Sequence, residues 1–172
     1  MLVVAMVLGP FLSPDMLDPI RHTTSQQAGQ GMPGAWAMRL GFAAFGAGAA
    51  LAMLWARTLH GVERAGLTLF GLGLIGAALW SHAPLLPDVP VDHAQDLWHS
   101  VAANAVGVGF ALACGGRLFL SKKTRPDPMA AAGLVISVIV PLAMVALPDV
   151  AGLLQRGMFL FSAAYLVHLL RP

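Results

Sequence analysis

The sequence predicts an all-α fold, an integral membrane bundle of six transmembrane helices with both termini cytoplasmic. Three observations carry this expectation. Of the 172 residues, 58% are hydrophobic and only 10% charged, whereas a water-soluble domain needs about a quarter of its residues charged to cover its surface. The apolar residues gather into runs near the ~20 residues that a helix needs to cross the hydrocarbon core. Basic residues, finally, sort to alternate loops. The chain is therefore expected to form a single transmembrane helical domain over 1–172.

The first helix is placed at about 1–12, an apolar run short for a span and without the basic leader of a signal peptide. Ser13 to Pro33, punctuated by Pro14, Pro19, Gly29 and Gly31, forms a polar connector. The second helix takes 35–56 and ends at a turn holding Arg57, His60, Glu63 and Arg64, and the third takes 65–81. His82 to Asp96 carries Pro84, Pro87 and Pro90 with Asp88, Asp92 and Asp96, so the chain leaves the membrane there before a fourth helix at 97–120. A basic turn precedes the fifth helix at 129–147, where Pro141 is an expected kink, and a Pro148-Asp149 break precedes the sixth at 152–170.

Arg57, Arg64, Arg117, Lys122, Lys123, Arg125 and Arg171 fall on one side of this arrangement, and only Arg21, Arg39 and Arg156 on the other. That asymmetry sets the orientation through the positive-inside rule. Small residues recur every four positions at Ala103, Gly107, Ala111 and Gly115 of the fourth helix and at Ala44, Gly48 and Ala52 of the second. Such ridges are expected to let helix backbones approach one another, or partner subunits of a larger membrane assembly.

Polar residues inside apolar helices need partners. Asp96, His99, Ser100 and Asn104 form a wedge at the outer mouth of the fourth helix, and Gln155-Arg156 opens the sixth helix on the same side. Arg156 is expected to hold an anionic group or to meet Asp96 or Asp149. His22 and Ser25 lie in the first outer loop. Tyr165 and His168, at the other end, read as packing and snorkelling residues. The single Cys114 excludes an internal disulfide, a Cys-paired zinc site and a covalent haem motif. His82, His93, Asp96 and His99 are the residues that would ligate a metal, but no zinc-protease motif or nucleophile elbow occurs. No metal, no cofactor and no catalytic residue is assigned. With a net charge of +2 nothing points to nucleic acid, and the expected partners are membrane lipids.

The run Asp18-Pro19-Ile20-Arg21-His22-Thr23-Thr24-Ser25-Gln26, followed by Pro33-Gly34-Ala35-Trp36-Ala37-Met38-Arg39-Leu40-Gly41-Phe42, resembles the first loop and second helix of the bacterial membrane proteins grouped as domain of unknown function 998. His99-Ser100 and Gly152-Leu153-Leu154-Gln155-Arg156 are similar to that family's pattern as well. The family usually has Ser-Glu where this chain has Ser25-Gln26, which removes a carboxylate from the loop. The resemblance implies that His22, Ser25, His99, Ser100, Gln155 and Arg156 act together in a bacterial inner membrane, and it supplies no activity. The expected ligand site is His22, Ser25, Asp96, His99, Ser100, Asn104, Gln155 and Arg156, binding a lipid headgroup or small polar molecule. A non-catalytic subunit and a membrane-embedded hydrolase or metalloenzyme are the alternatives.

Overall fold

The computed structural model describes residues 1–12, 17–56, 58–121 and 126–170. Among them every regular element is helical: α1 (Leu2–Leu8) with a 3-10 extension (Gly9–Leu12), α2 (Thr24–Gln27), α3 (Ala35–Trp55), α4 (Gly61–Leu79), α5 (His93–Phe119), α6 (Pro128–Ala146), a 3-10 turn (Pro148–Val150) and α7 (Ala151–Leu170). Five of these segments, α3 to α6 and Pro148–Leu170, are long and apolar enough to cross a membrane, so the chain is a multi-pass membrane-type protein. The seven residues of α1 and its four-residue extension reach about 18 Å, against a hydrocarbon core of roughly 30 Å. This segment packs on α3. Arg57, Lys122, Lys123, Arg125 and Arg171, which carry much of the charge asymmetry, lie outside the described residues.

Two helices begin earlier than their apolar runs, and capping explains both. At α5 the Asp92 carboxylate accepts from Ala94 N at 3.0 Å and Gln95 N at 3.1 Å, which starts the helix at His93 rather than Leu97. Hydrogen bonds from the Gln95 backbone and side chain hold the Asp92 carboxyl below its ordinary value. At α4 the His60 ring accepts from Val62 N at 3.3 Å, and Glu63 is drawn into the first turn. With 27 residues, α5 is about 40 Å long, so its polar first turns extend past the hydrocarbon.

The centre of the bundle is the α4–α5 seam, flanked by α3 on α4. It is built on glycines, but not those of the four-residue ridge. A Cβ on Gly66 would stand 2.5 Å from Ala113 N, and one on Gly73 would stand 2.8 Å from Ala102 O and Val106 N. Gly107 and Gly115, by contrast, have nothing within 4 Å of a built Cβ. The seam lies on the neighbouring stripe of α5, at Ala102, Val106, Gly109, Ala113 and Gly116, and the ridge faces open space.

Helix α6 is attached differently. Only Ala130 and Gly133, near its start, are buried, where Gly133 meets Cys114, Phe161 and Phe110. The same end is held by charge. Arg117 Nε donates to Asp127 Oδ2 at 3.1 Å, His168 Nε2 lies 3.1 Å from the same oxygen, and Arg117 Nη1 is 3.6 Å from Glu63 Oε1. Residues of α4, α5, α6 and α7 thus meet in one knot. Burial raises the Asp127 pKa, but the bonds from His168 and Arg117 outweigh it and leave the carboxyl below its ordinary value. His168 therefore pairs with an acid rather than only snorkelling, while Tyr165 is fully buried beside Phe110, ring centroids 5.4 Å apart.

Candidate functional site

Because α6 packs closely only along its first turns, its second half leaves a cavity of about 610 Å³ between α5, α6 and α7. That volume is in the range of small-molecule sites. Its walls are Ala103, Gly107 and Ala111 of α5, Ser137, Pro141 and Met144 of α6, and Met158 and Phe159 of α7, over a floor of Phe42, Phe70 and Phe110. Small residues on α5 make the room and aromatic rings close the base: Phe42 and Phe159 lie 5.8 Å apart and Phe70 and Phe110 5.7 Å. Ser137 and Ser162 donate back to Gly133 O and Met158 O at 2.7 and 2.9 Å, so the deep wall is effectively apolar. Polarity is concentrated at one end, in Thr23, Ser25, Asn104 and Gln155.

The first loop reaches this rim because α7 holds it there. Thr23 and Gln26 form a capping box, Gln26 N to Thr23 Oγ1 at 3.1 Å and Thr23 N to Gln26 Oε1 at 2.8 Å, which winds the short turn α2. Gln155 Oε1 accepts from both Thr24 N at 2.7 Å and Thr24 Oγ1 at 2.6 Å. Arg156 Nη1 donates to Pro19 O, His22 O and Gly152 O at 2.6, 2.8 and 3.2 Å, and Nη2 donates to Gln27 Oε1 at 2.9 Å. Gln27, fully buried, passes the tie on to Ala5 O of α1 at 3.3 Å. The free N–H groups of the first turn of α7 are met by the same loop, Gly152 N by Arg21 O at 3.1 Å and Leu153 N by Ile20 O at 2.9 Å. Arg21 and Asp149 add an exposed ion pair at 2.5 Å.

His99 sits in a separate cluster. It is 1% exposed, and its Nδ1 lies 2.9 Å from Trp80 O; a carbonyl only accepts, so Nδ1 carries the proton. Arg39 Nε and Nη2 donate to Ala78 O and Leu79 O at 2.7 and 3.0 Å. Together these two basic side chains satisfy the last carbonyls of α4. Asp96 Oδ1 accepts from Ala83 N at 2.7 Å, and the His82 ring stands 5.5 Å from His99, edge to face.

The eight residues expected in one site thus divide three ways. Ser25, Asn104 and Gln155 line the cavity. His22 and Arg156 belong to the latch between the first loop and α7, and Arg156 finds carbonyls where Asp96 or Asp149 was expected. His99 and Asp96 fasten the α4–α5 loop, while Ser100 is exposed with its carbonyl accepting from Asn104 Nδ2 at 2.8 Å. Among the described residues, no group of three His, Cys, Asp or Glu is placed to hold a metal, and His93 is exposed in the first turn of α5. Thr23, Thr24 and Gln27 are additional members. The spacing Thr23-Thr24-Ser25-Gln26 is the signature of a capping box, whereas Gln27 has no local signal because its partner lies at Arg156.

The first loop and Gly152 to Arg156 are therefore joined by direct contact, and Phe42 near the start of α3 borders the same cavity, whereas His99 and Ser100 line neither. No curated protein and no solved structure matches the chain. The family described as "Protein of unknown function (DUF998)" matches residues 1–171, virtually its whole length, and the chain belongs to that family.

Proposed function

We propose that this protein binds a membrane amphiphile in the cavity between α5, α6 and α7, with the polar head at Thr23, Ser25, Asn104 and Gln155 and the apolar chain against the phenylalanines below. The observation that carries this reading is the division of one 610 Å³ cavity into a polar rim and an apolar trunk. An apolar cavity in a membrane protein is filled at little cost by lipid chains, and a small number of placed polar groups then fixes the head. Arg156 acts as a positioning residue, since it holds the loop that carries Ser25.

The orientation belongs to the same proposal. Arg64 and Arg117 stand at the end away from the first loop, which by the positive-inside rule supports a cavity mouth on the extracytoplasmic face of a bacterial inner membrane. The C-terminus is then cytoplasmic, and α1, at about 18 Å, completes a sixth crossing with the N-terminus on the same side only where the bilayer thins around it. A Ser25→Cys variant should react with a membrane-impermeant maleimide added outside intact cells; reaction only after lysis contradicts this orientation.

Gly107→Leu tests binding without breaking a helix contact, because a side chain there enters the cavity rather than a neighbour. Native mass spectrometry of gently extracted protein should show a retained lipid-mass adduct in the wild type and its loss in Gly107→Leu at an unchanged melting temperature. Equal adducts in both proteins would contradict the cavity as the binding site.

A further inference from the structure

Resting on that reading, we infer that the occupant is an uncharged amphiphile whose head presents a hydrogen-bond acceptor, an ester or ring carbonyl, rather than a phosphate or carboxylate. Among the described residues, the cavity is lined by no ionisable side chain. An anion placed there would lose its hydration without gaining a counter-charge, which is costly away from water. Arg156, next in the chain to the lining residue Gln155, is a candidate for that counter-charge, yet it is not part of the lining. Its Nη atoms are bound to Pro19, His22, Gly152 and Gln27, and its Nε, which has no hydrogen-bond partner among the described residues, is buried.

The rim also has a polarity of its own. A backbone N–H only donates, so the Gln155 atom that receives Thr24 N must be the carbonyl oxygen. With Oε1 doubly occupied by Thr24, the amide Nε2 is what Gln155 offers the cavity. Thr23 Oγ1 already accepts from Gln26 N, so its remaining capacity includes its own proton. The Ser25 hydroxyl, which makes no hydrogen bond among the described residues, lies alongside. Gln155, Thr23 and Ser25 thus present donors, while Asn104, whose Nδ2 is given to Ser100 O, keeps its Oδ1 as an acceptor; the complementary head is uncharged and turns a carbonyl acceptor toward the first three. Gln155→Glu is a near-isosteric probe, since it keeps an oxygen for Thr24 and replaces the donor with a second acceptor.

The test uses delipidated full-length protein in detergent and two probes with the same chain, 1-oleoylglycerol, which is uncharged, and 1-oleoyl lysophosphatidic acid, which carries a phosphate. Binding is read by titration in native mass spectrometry, with melting temperature as the folding control. The expected result is one bound oleoylglycerol with at least about tenfold preference over the phosphate probe, a difference of about 1.4 kcal/mol. Gln155→Glu should weaken oleoylglycerol by about tenfold in protein that still folds but melts at a lower temperature, because the new carboxylate is desolvated, and Gly107→Leu, or Ala111→Phe as a second filling variant, should abolish it. Equal or tighter binding of the phosphate probe, still blocked by Gly107→Leu, overturns the uncharged head and leaves the cavity reading intact. No effect of Gln155→Glu overturns the donor role of that amide. Binding of either probe that ignores both filling variants overturns the cavity reading itself.

Discussion

Arg156 shows how a charged residue can be expensive in a membrane and still structural. Its guanidinium is half-buried and bonded almost wholly to loop oxygens, so its fork geometry does what a single ammonium cannot. Arg156→Ala leaves the carbonyls of Pro19 and His22 and the Gln27 amide without their donor, a loss of about 2–4 kcal/mol. The expected outcome is a lower melting temperature with faster amide exchange confined first to residues 18–27, and Arg156→Lys should recover only part of it. Unchanged exchange in that loop would contradict the latch. The resemblance motifs correctly drew Gln155, Arg156 and the first loop together, but not their chemistry. A sequence presents Arg156 as a charge in search of an anion, because carbonyls of a loop more than a hundred residues away carry no side-chain signal.

At the scale of elements, the glycines of α5 divide by face. Gly66→Ala on α4 drives a methyl group into the backbone of α5 at Ala113, with an expected cost of about 1–3 kcal/mol from overpacking. Gly107→Ala meets nothing and gains helix propensity of about 1 kcal/mol. A thermal-denaturation pair that ranks Gly107→Ala below Gly66→Ala would contradict the seam described above. Spacing alone identified small residues correctly but could not say which stripe packs, since two adjacent stripes of α5 carry them and the choice is made by α4. The ends of α4 and α5 were similarly mislocated by their apolar runs, although the caps His60 and Asp92 stand in the sequence.

The knot at the start of α6 makes a prediction in pH. The Asp127 carboxyl is depressed in the folded protein, so its stabilising contribution is fully present above the ordinary carboxylate value and is lost as pH falls through the depressed one. Melting temperature should therefore fall as pH drops below about 4. Asp127→Asn, which retains a helix cap, should cost about 2 kcal/mol at neutral pH and flatten this acid dependence. An acid limb equally steep in the variant assigns it to other groups.

For the molecule as a whole, the membrane-type helical architecture was legible because bilayer thickness dictates helix length and composition directly. The cavity was not, for it depends on one helix being secured at Asp127, Ala130 and Gly133 and left free along Pro141 and Met144. That attachment joins the two halves of the molecule: the knot fixes α6, α6 opens the cavity, and α7 latches the first loop over its rim. Phe110 and Phe159 are 3% and 5% exposed and line the cavity, whereas Val138 and Leu142 of α6 face outward, 54% and 63% exposed. Photolabelling in membranes with a lipid carrying a diazirine at its chain end, followed by peptide mapping, distinguishes the two environments. Label on Phe110 and Phe159 that disappears in Gly107→Leu is the result expected for a chain bound inside the bundle. Label confined to Val138, Leu142 and their outward neighbours, the same in both proteins, would contradict it.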